Sequence, residues 1–374
     1  MSLVFTEEQK LLQKSVRDFA ENEVRPRLDE IIKSEGYIPR DLYKRMGELG
    51  FYRCLVAKDK GGFGLGLTEA CIITEELSKV APALGLILMC SMPTLFSLQD
   101  CEPFVEQYME KCLSGDLIFS IALSPPEGLT NPSEWQPMVK KAGKEWRLNG
   151  TKLFCTSSVN ADINEVLCLD ENNSVKTFIV RGDEPGITHN APEIKFGMKG
   201  SGGGTVVYKD CRVPEDMCID SGIETAIYYY LYLICASIAL GTAEGCLEET
   251  MKYTKQRTSN FKPISSMQAV AQNIARLKVL TSVANSAIYD AASLFNSPET
   301  IKEAYLKSQI TKVFVPDIAV KVTRECLKLH GGFGYHDAKI YHYFADAVST
   351  MIMDMTTEYH LEGIANLIGI DVIR

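Results

Sequence analysis

A block of short β-rich runs set between two long helical regions limits this chain to few architectures. From about residue 118 the runs IFSIALS, EWRLNGTKLFCTSS, EVLCLD, VKTFIV and TVVYKDCRVP follow one another, separated by Gly, Pro, Asn and Asp turns. This spacing predicts a small antiparallel barrel or sandwich, with Asn149-Gly150 as a hairpin turn because both residues tolerate positive φ. Before the block, Leu12, Val16 and Phe19 recur at helical spacing, a second pattern runs from Arg40 to Leu49, and a longer one from Thr68 to Val80. After Pro214, helical segments cover Ile223 to Gln256, Ser265 to Leu294 and Pro298 to Leu329, apolar on more than one face as bundle helices are. The expected class is α+β: an N-terminal helical domain over 1–117, a middle antiparallel β-barrel or sandwich domain over 118–218, and a C-terminal four-helix bundle domain over 219–374. With no internal repeat and no low-complexity linker, the three regions are expected to share one compact unit.

Composition narrows the partners. Lys and Arg number 39 against 48 Asp and Glu, a formal charge of −9, which argues against nucleic acid because that surface requires clustered cations. The chain has no run of about 18 uninterrupted apolar residues, and MSLVFTEEQK lacks the parts of a secretory signal. No membrane span and a cytoplasmic location are therefore expected. The twelve cysteines, from Cys54 to Cys326, include no CxxC pair and read as reduced core residues. The five histidines are dispersed, so no metal site is expected.

Known catalytic signatures are sparse. There is no P-loop, HExxH or GxSxG, and the glycines of Gly61-Gly-Phe-Gly64 lack the strand and helix of a dinucleotide fingerprint and read as a turn. Lys328-Leu-His-Gly-Gly-Phe-Gly-Tyr335 ends a long helix. Its glycines would let backbone approach a large ligand, and a helix C-cap followed by a turn explains them equally well.

Six stretches in fixed order carry a wider likeness: MGELGF (46–51), KGGFGLGLTEACIITEELS (60–78), LNGTKLFCTSS (148–158), KFGMKGSGGGTVVYKDCRVPED (195–216), HGGFGY (330–335) and ADAVSTMIMDMTTE (345–358), with Arg257 and KPI (262–264) between them. Together they resemble the acyl-CoA dehydrogenases over essentially the whole chain. The resemblance implies that family's fold, a homotetramer built as a dimer of dimers, and FAD held between the β-domain and helices of the same and a neighbouring subunit. By position it implies Asp354, where the family has Glu, as the base that removes the substrate α-proton while the β-hydrogen leaves as hydride. Leu123 and Ser124 would contact the flavin pyrimidine, and Phe154, Thr156 and Ser157 would flank its ring. Arg257 would reach the diphosphate of a neighbouring subunit's FAD; Lys328, Gly331 and Gly332 would pass its diphosphate or adenosine part, and Thr356 and Glu358 would also contact FAD. Thr130, Tyr229 and Tyr232 are implied to face substrate.

Taken singly, these residues have plainer readings: Arg257 as a surface charge at a helix end, Thr156 as a strand hydroxyl, Asp354 as an N-cap before Thr356 and Thr357. The chain also departs from the family pattern. Ser124 to Asn131 replaces TEPGAGSD, Ala345 replaces the Arg of RDA, and Tyr228, Tyr229, Tyr230 and Tyr232 stand near the place of a CoA-binding arginine. The implied reaction is FAD-dependent conversion of an acyl-CoA to a 2-enoyl-CoA, electrons passing to an electron-transferring flavoprotein, on a branched, cyclic or otherwise unusual acyl group. The alternatives are an enoyl-CoA reductase, a flavin monooxygenase on the same fold, and a non-catalytic subunit of a hetero-oligomeric dehydrogenase.

Overall fold

Thr6 starts the first helix for a local reason: its hydroxyl accepts the Gln9 N–H while the Gln9 side chain returns to the Thr6 N–H, a reciprocal cap. The computed structural model describes residues 5–33, 37, 39–129, 131–191, 195–219, 225–336 and 338–370. α1 (Glu7–Phe19) buries Val16 and Phe19, as their spacing predicts. α2 (Leu28–Lys33), α3 (Arg40–Glu48), α4 (Leu67–Ser78) and α5 (Pro82–Ser97) follow, then the short α6 (Glu102–Phe104) and α7 (Glu110–Leu113).

The middle region is one mixed sheet: β1 (Phe119–Ala122), β2 (Pro137–Ala142), β3 (Glu145–Cys155), β4 (Ile163–Asp170), β5 (Val175–Arg181), β6 (Ile187–Asn190), β7 (Gly204–Pro214) and β8 (Cys218–Ile219), ordered β6-β7-β3-β2-β4-β5-β8 with β1 beside β4. Most pairs are antiparallel, and β4 is parallel to both β1 and β2. The intervening chain returns to the same end of the sheet before β4 begins, so the antiparallel expectation fails at those two pairs. Asn149-Gly150 is likewise not a turn. β3 runs through it, and the hairpin lies at Gly143, φ +68°, between the paired Ala142 and Glu145. The Asn149 side-chain oxygen accepts the Asp210 N–H at 2.9 Å, and the register with β7 slips between Leu148 and Gly150. The pair forms a bulge there, which also uses positive φ.

The C-terminal region contains α8 (Thr225–Gln256), a hairpin of β9 (Thr258–Ser259) and β10 (Lys262–Pro263), then α9 (Gln268–Ser293), α10 (Ile301–His330), α11 (Gly332–His336), α12 (Ala338–Ile352) and α13 (Thr357–Leu367). α8, α9, α10 and α12 form the bundle, and α8 also packs on α4 and α5. Residues 82–100 and 229–256 reach the length and apolarity of a membrane span, yet these windows are 83% and 89% buried inside the protein. Their apolar surface is core.

α8 approaches α4 so closely that a Cβ on Gly241 would lie 2.2 Å from the Glu75 carbonyl oxygen. Beside that contact lies a buried ionic cluster. Lys79, at the end of α4, meets Glu76 at 2.9 Å, Glu244 of α8 at 2.9 Å and Glu75 at 3.3 Å. Glu76 continues to Arg17 of α1 at 2.6 Å, Glu244 to Lys278 of α9 at 3.0 Å, and Tyr289 of α9 donates to Glu75 at 2.8 Å. Burial pushes Glu75 up to about 7 despite Lys79 beside it.

Candidate active site

α12 ends at Ile352, and the chain then takes two left-handed residues, Asp354 at φ 57° and Met355 at φ 75°. Thr356 restarts a helix by accepting the Tyr359 N–H, so Thr356 and not Asp354 caps α13. Asp tolerates this conformation better than Met, whose Cβ crowds the following carbonyl. Met355→Gly is expected to raise the thermal midpoint by about 1–2 °C, corresponding to roughly 1 kcal/mol of relieved strain; a lower midpoint in a melting curve would show that the Met355 side chain contributes more through packing.

The turn puts the Asp354 carboxyl where four helices converge. Its Oδ2 is buried and has no hydrogen-bond partner among the described residues. Burial pushes the carboxyl up to about 6, opposed by the charge of Lys312 and by the Cys235 thiol. Lys312 of α10, 3% exposed, donates to the Thr350 carbonyl at 3.1 Å. The Cys235 thiol of α8 lies 3.5 Å from that same oxygen. On α5, burial pushes the Cys90 thiol up to about 12, opposed by the Thr156 side chain and helped by the Asp354 charge. His360 of α13 reaches the Asp354 carbonyl at 2.9 Å.

The end of β3 and the turn after it carry Phe154, Thr156 and Ser157. Phe154 (φ 56°) and Ser157 (φ 66°) bracket Thr156 and break the strand's alternation, so the Phe154 ring stands 83% exposed while Thr156 is buried. Ser120 donates to the Thr156 carbonyl at 2.8 Å. Leu123 and Ser124 are drawn alongside: Lys152 donates to the Leu123 carbonyl at 2.8 Å, and the Leu153 N–H to that of Ser124 at 2.8 Å. Ser157 and Ser158 keep buried hydroxyls with no partner among the described residues. An open aromatic face rimmed by unused polar groups fits a planar heteroaromatic ring such as a flavin.

Tyr229 and Tyr232 come together on α8, and Tyr232 meets the His360 ring edge-on at 4.5 Å. Thr130 lies outside the described residues. The remaining predicted residues form a second group at the far end of α10. Arg257 holds its guanidinium 5.1 Å from the Phe333 ring, Lys328 pairs with Glu325 at 2.9 Å, and a side chain on Gly331 or Gly332 would meet open space. Lys328 is sixteen residues beyond Lys312, roughly 24 Å along the helix. Thr356 and Glu358 are exposed on the α13 turn. Cys90, Cys235, Lys312 and His360 were not predicted from sequence. Their one local signal is a polar residue inside an apolar helical stretch, as with Lys312 in QITKVFV.

Comparison with known proteins gives a consistent assignment. Residues 6–99 match the family model of the acyl-CoA dehydrogenase N-terminal domain, 120–211 that of the middle domain and 233–368 that of the C-terminal domain. A 3-(aryl)acrylate reductase of Clostridium sporogenes is 27% identical over 369 residues, covering 95% of this chain and 97% of the relative. An acyl-CoA dehydrogenase of Bacillus subtilis is 29% identical over 369 residues, covering 94% and 96%. Among solved structures, a chain from work on the electron-transferring flavoprotein of Acidaminococcus fermentans and flavin-based electron bifurcation superposes with a TM-score of 0.91 at 26% identity, covering 99% of this chain and 100% of that one.

Proposed function

The chain belongs to the acyl-CoA dehydrogenase family of FAD-dependent oxidoreductases, and from that premise we propose that it desaturates an acyl-CoA between its α and β carbons with Asp354 as the base. The observation that carries this reading is the buried Asp354 carboxyl, raised towards neutral pH, whose Oδ2 has no partner among the described residues. A carboxylate so placed is stripped of water, which strengthens it as a base for a weakly acidic α-proton. Leu123, Ser124, Phe154, Thr156 and Ser157 would hold the flavin ring, with Thr356 and Glu358 nearby. FAD when bound supplies the acceptor for the β-hydrogen. Asp354 takes the α-proton onto Oδ2, and Lys312 limits how far the carboxyl pKa rises. Tyr229, Tyr232 and Thr130 would line the way for the thioester. The distance along α10 supports a neighbouring copy as the source of Arg257, Lys328, Gly331 and Gly332 at each cofactor, as in a homotetramer. Electrons pass to an electron-transferring flavoprotein, a reading supported by the Acidaminococcus likeness. The twelve free thiols suit the reducing cytoplasm.

The Clostridium sporogenes likeness favours a second reading, the same chemistry run as reduction of a 2-enoyl-CoA. One experiment addresses both. In an anaerobic screen of acyl-CoA thioesters, the right substrate bleaches the flavin, and the rate rises with pH to half its maximum near 6, because the base must be ionised. With the enoyl product and reduced enzyme, Asp354 is the acid and the rate falls through the same pH. Bleaching by no thioester sinks the desaturation; a half-maximum near 4 removes the raised carboxyl from the argument.

A further inference from the structure

α13 begins just after the candidate base and aims one of its own side chains back at it. His360 is 1% exposed, with Nε2 2.9 Å from the Asp354 carbonyl oxygen. A carbonyl only accepts, so Nε2 carries the proton and Nδ1, buried with no partner among the described residues, carries none. Burial draws the ring down to about 4, with Lys312 adding to that, so it stays neutral at working pH. Tyr232 of α8 meets the ring at 88° and Tyr359 at 85°, which fixes its plane.

The bond falls on the left-handed residue itself. From the other side, Lys312 grips the Thr350 carbonyl, so the main chain is held on both sides of residues 351–353. Asp has only two side-chain torsions, and its carboxylate therefore goes where the main chain points it. The groups that act on that carboxylate are Lys312 from α10 and the Cys235 thiol from α8, while His360 from α13 holds the main-chain carbonyl of the same residue. Lys312 is the one cation among them.

We infer that His360 is a positioning residue for the reaction: its Nε2–H donates to the Asp354 carbonyl, locks the left-handed turn and so aims the carboxylate at the substrate, with Tyr232 setting the ring plane. This rests on Asp354 as the base. General-base geometry is strict, and a displacement near 1 Å costs about 10²-fold.

The test compares the FAD-loaded native enzyme with His360→Gln, which keeps an N–H donor, and His360→Leu, which keeps bulk without one. Butyryl-CoA and 3-phenylpropionyl-CoA serve as probes in anaerobic stopped-flow, and amide hydrogen exchange is followed over 350–358. The Leu variant is expected to lose about 10- to 100-fold in flavin reduction at saturating thioester, with half-saturation changed by under about threefold, a displaced half-maximal pH and about tenfold faster exchange at 354–358, while Gln stays within about threefold of native. Native-like rate or native-like exchange protection in the Leu variant overturns the inference, as does a Gln variant as impaired as Leu. Should neither thioester reduce the native flavin, the exchange comparison decides alone. Failure of the base reading shows elsewhere, as undiminished bleaching by an Asp354 variant.

Discussion

Asp354→Asn is expected to take up FAD and melt like the native protein, yet to reduce its flavin with acyl-CoA about 10³-fold more slowly, within the usual loss for a removed general base. The amide matches the carboxyl in size, so the turn between α12 and α13 keeps its shape, and Lys312 keeps the Thr350 carbonyl and His360 the Asp354 carbonyl. What disappears is the ability of Oδ2 to accept a proton. Anaerobic stopped-flow measures the rate and the bound flavin absorbance measures the cofactor. Bleaching within about tenfold of native would move the base to another residue, and loss of FAD with the rate would make Asp354 a structural residue.

Glu165→Gln should have the largest effect on stability. Glu165 lies in the middle of β4, 1% exposed, with one carboxyl oxygen lacking any partner, and burial alone pushes it up to about 8. Below the unfolded value near 4.5, the folded and unfolded chains are both protonated here, and the residue takes nothing from stability. Between there and about 8 the unfolded chain ionises while the folded one does not, so stability falls as pH rises, by an amount on the order of 5 kcal/mol at 1.36 kcal/mol per unit. Gln does not titrate. Denaturation midpoints should thus be similar for the two proteins at pH 5 and clearly higher for the variant at pH 8. An equal shift at both pH values would mean that ionisation of Glu165 is not the cause.

The same residue shows where sequence reading ran out. EVLCLD announces a strand, and a strand is found, but nothing in six letters says that the carboxylate points into the core. Long periodic segments were readable because helix packing writes a repeat along the chain, as with Val16 and Phe19. β2 and β6 were not, since PMVKKA and ITHN carry almost no alternation. Asn149-Gly150 failed for a related reason: a bulge and a turn ask for the same backbone freedom, and only the partner strand distinguishes them. In the candidate site, Asp354 and Thr156 were nameable through an ordered family pattern, in the roles proposed above. Cys90, Cys235, Lys312 and His360 were not, because each comes from a different helix and their meeting is a property of packing.

The ionic cluster at Lys79 bears on how such a chain can change over generations. Its charges are divided among α1, α4, α8 and α9, so a cut between the helical regions breaks the Lys79–Glu244 pair and the Tyr289–Glu75 hydrogen bond and leaves the remaining pairs on an exposed apolar surface. A lost partner in such a cluster costs several kcal/mol. The first and last regions thus share one set of buried charges, and the sheet between them can vary its loops without touching it.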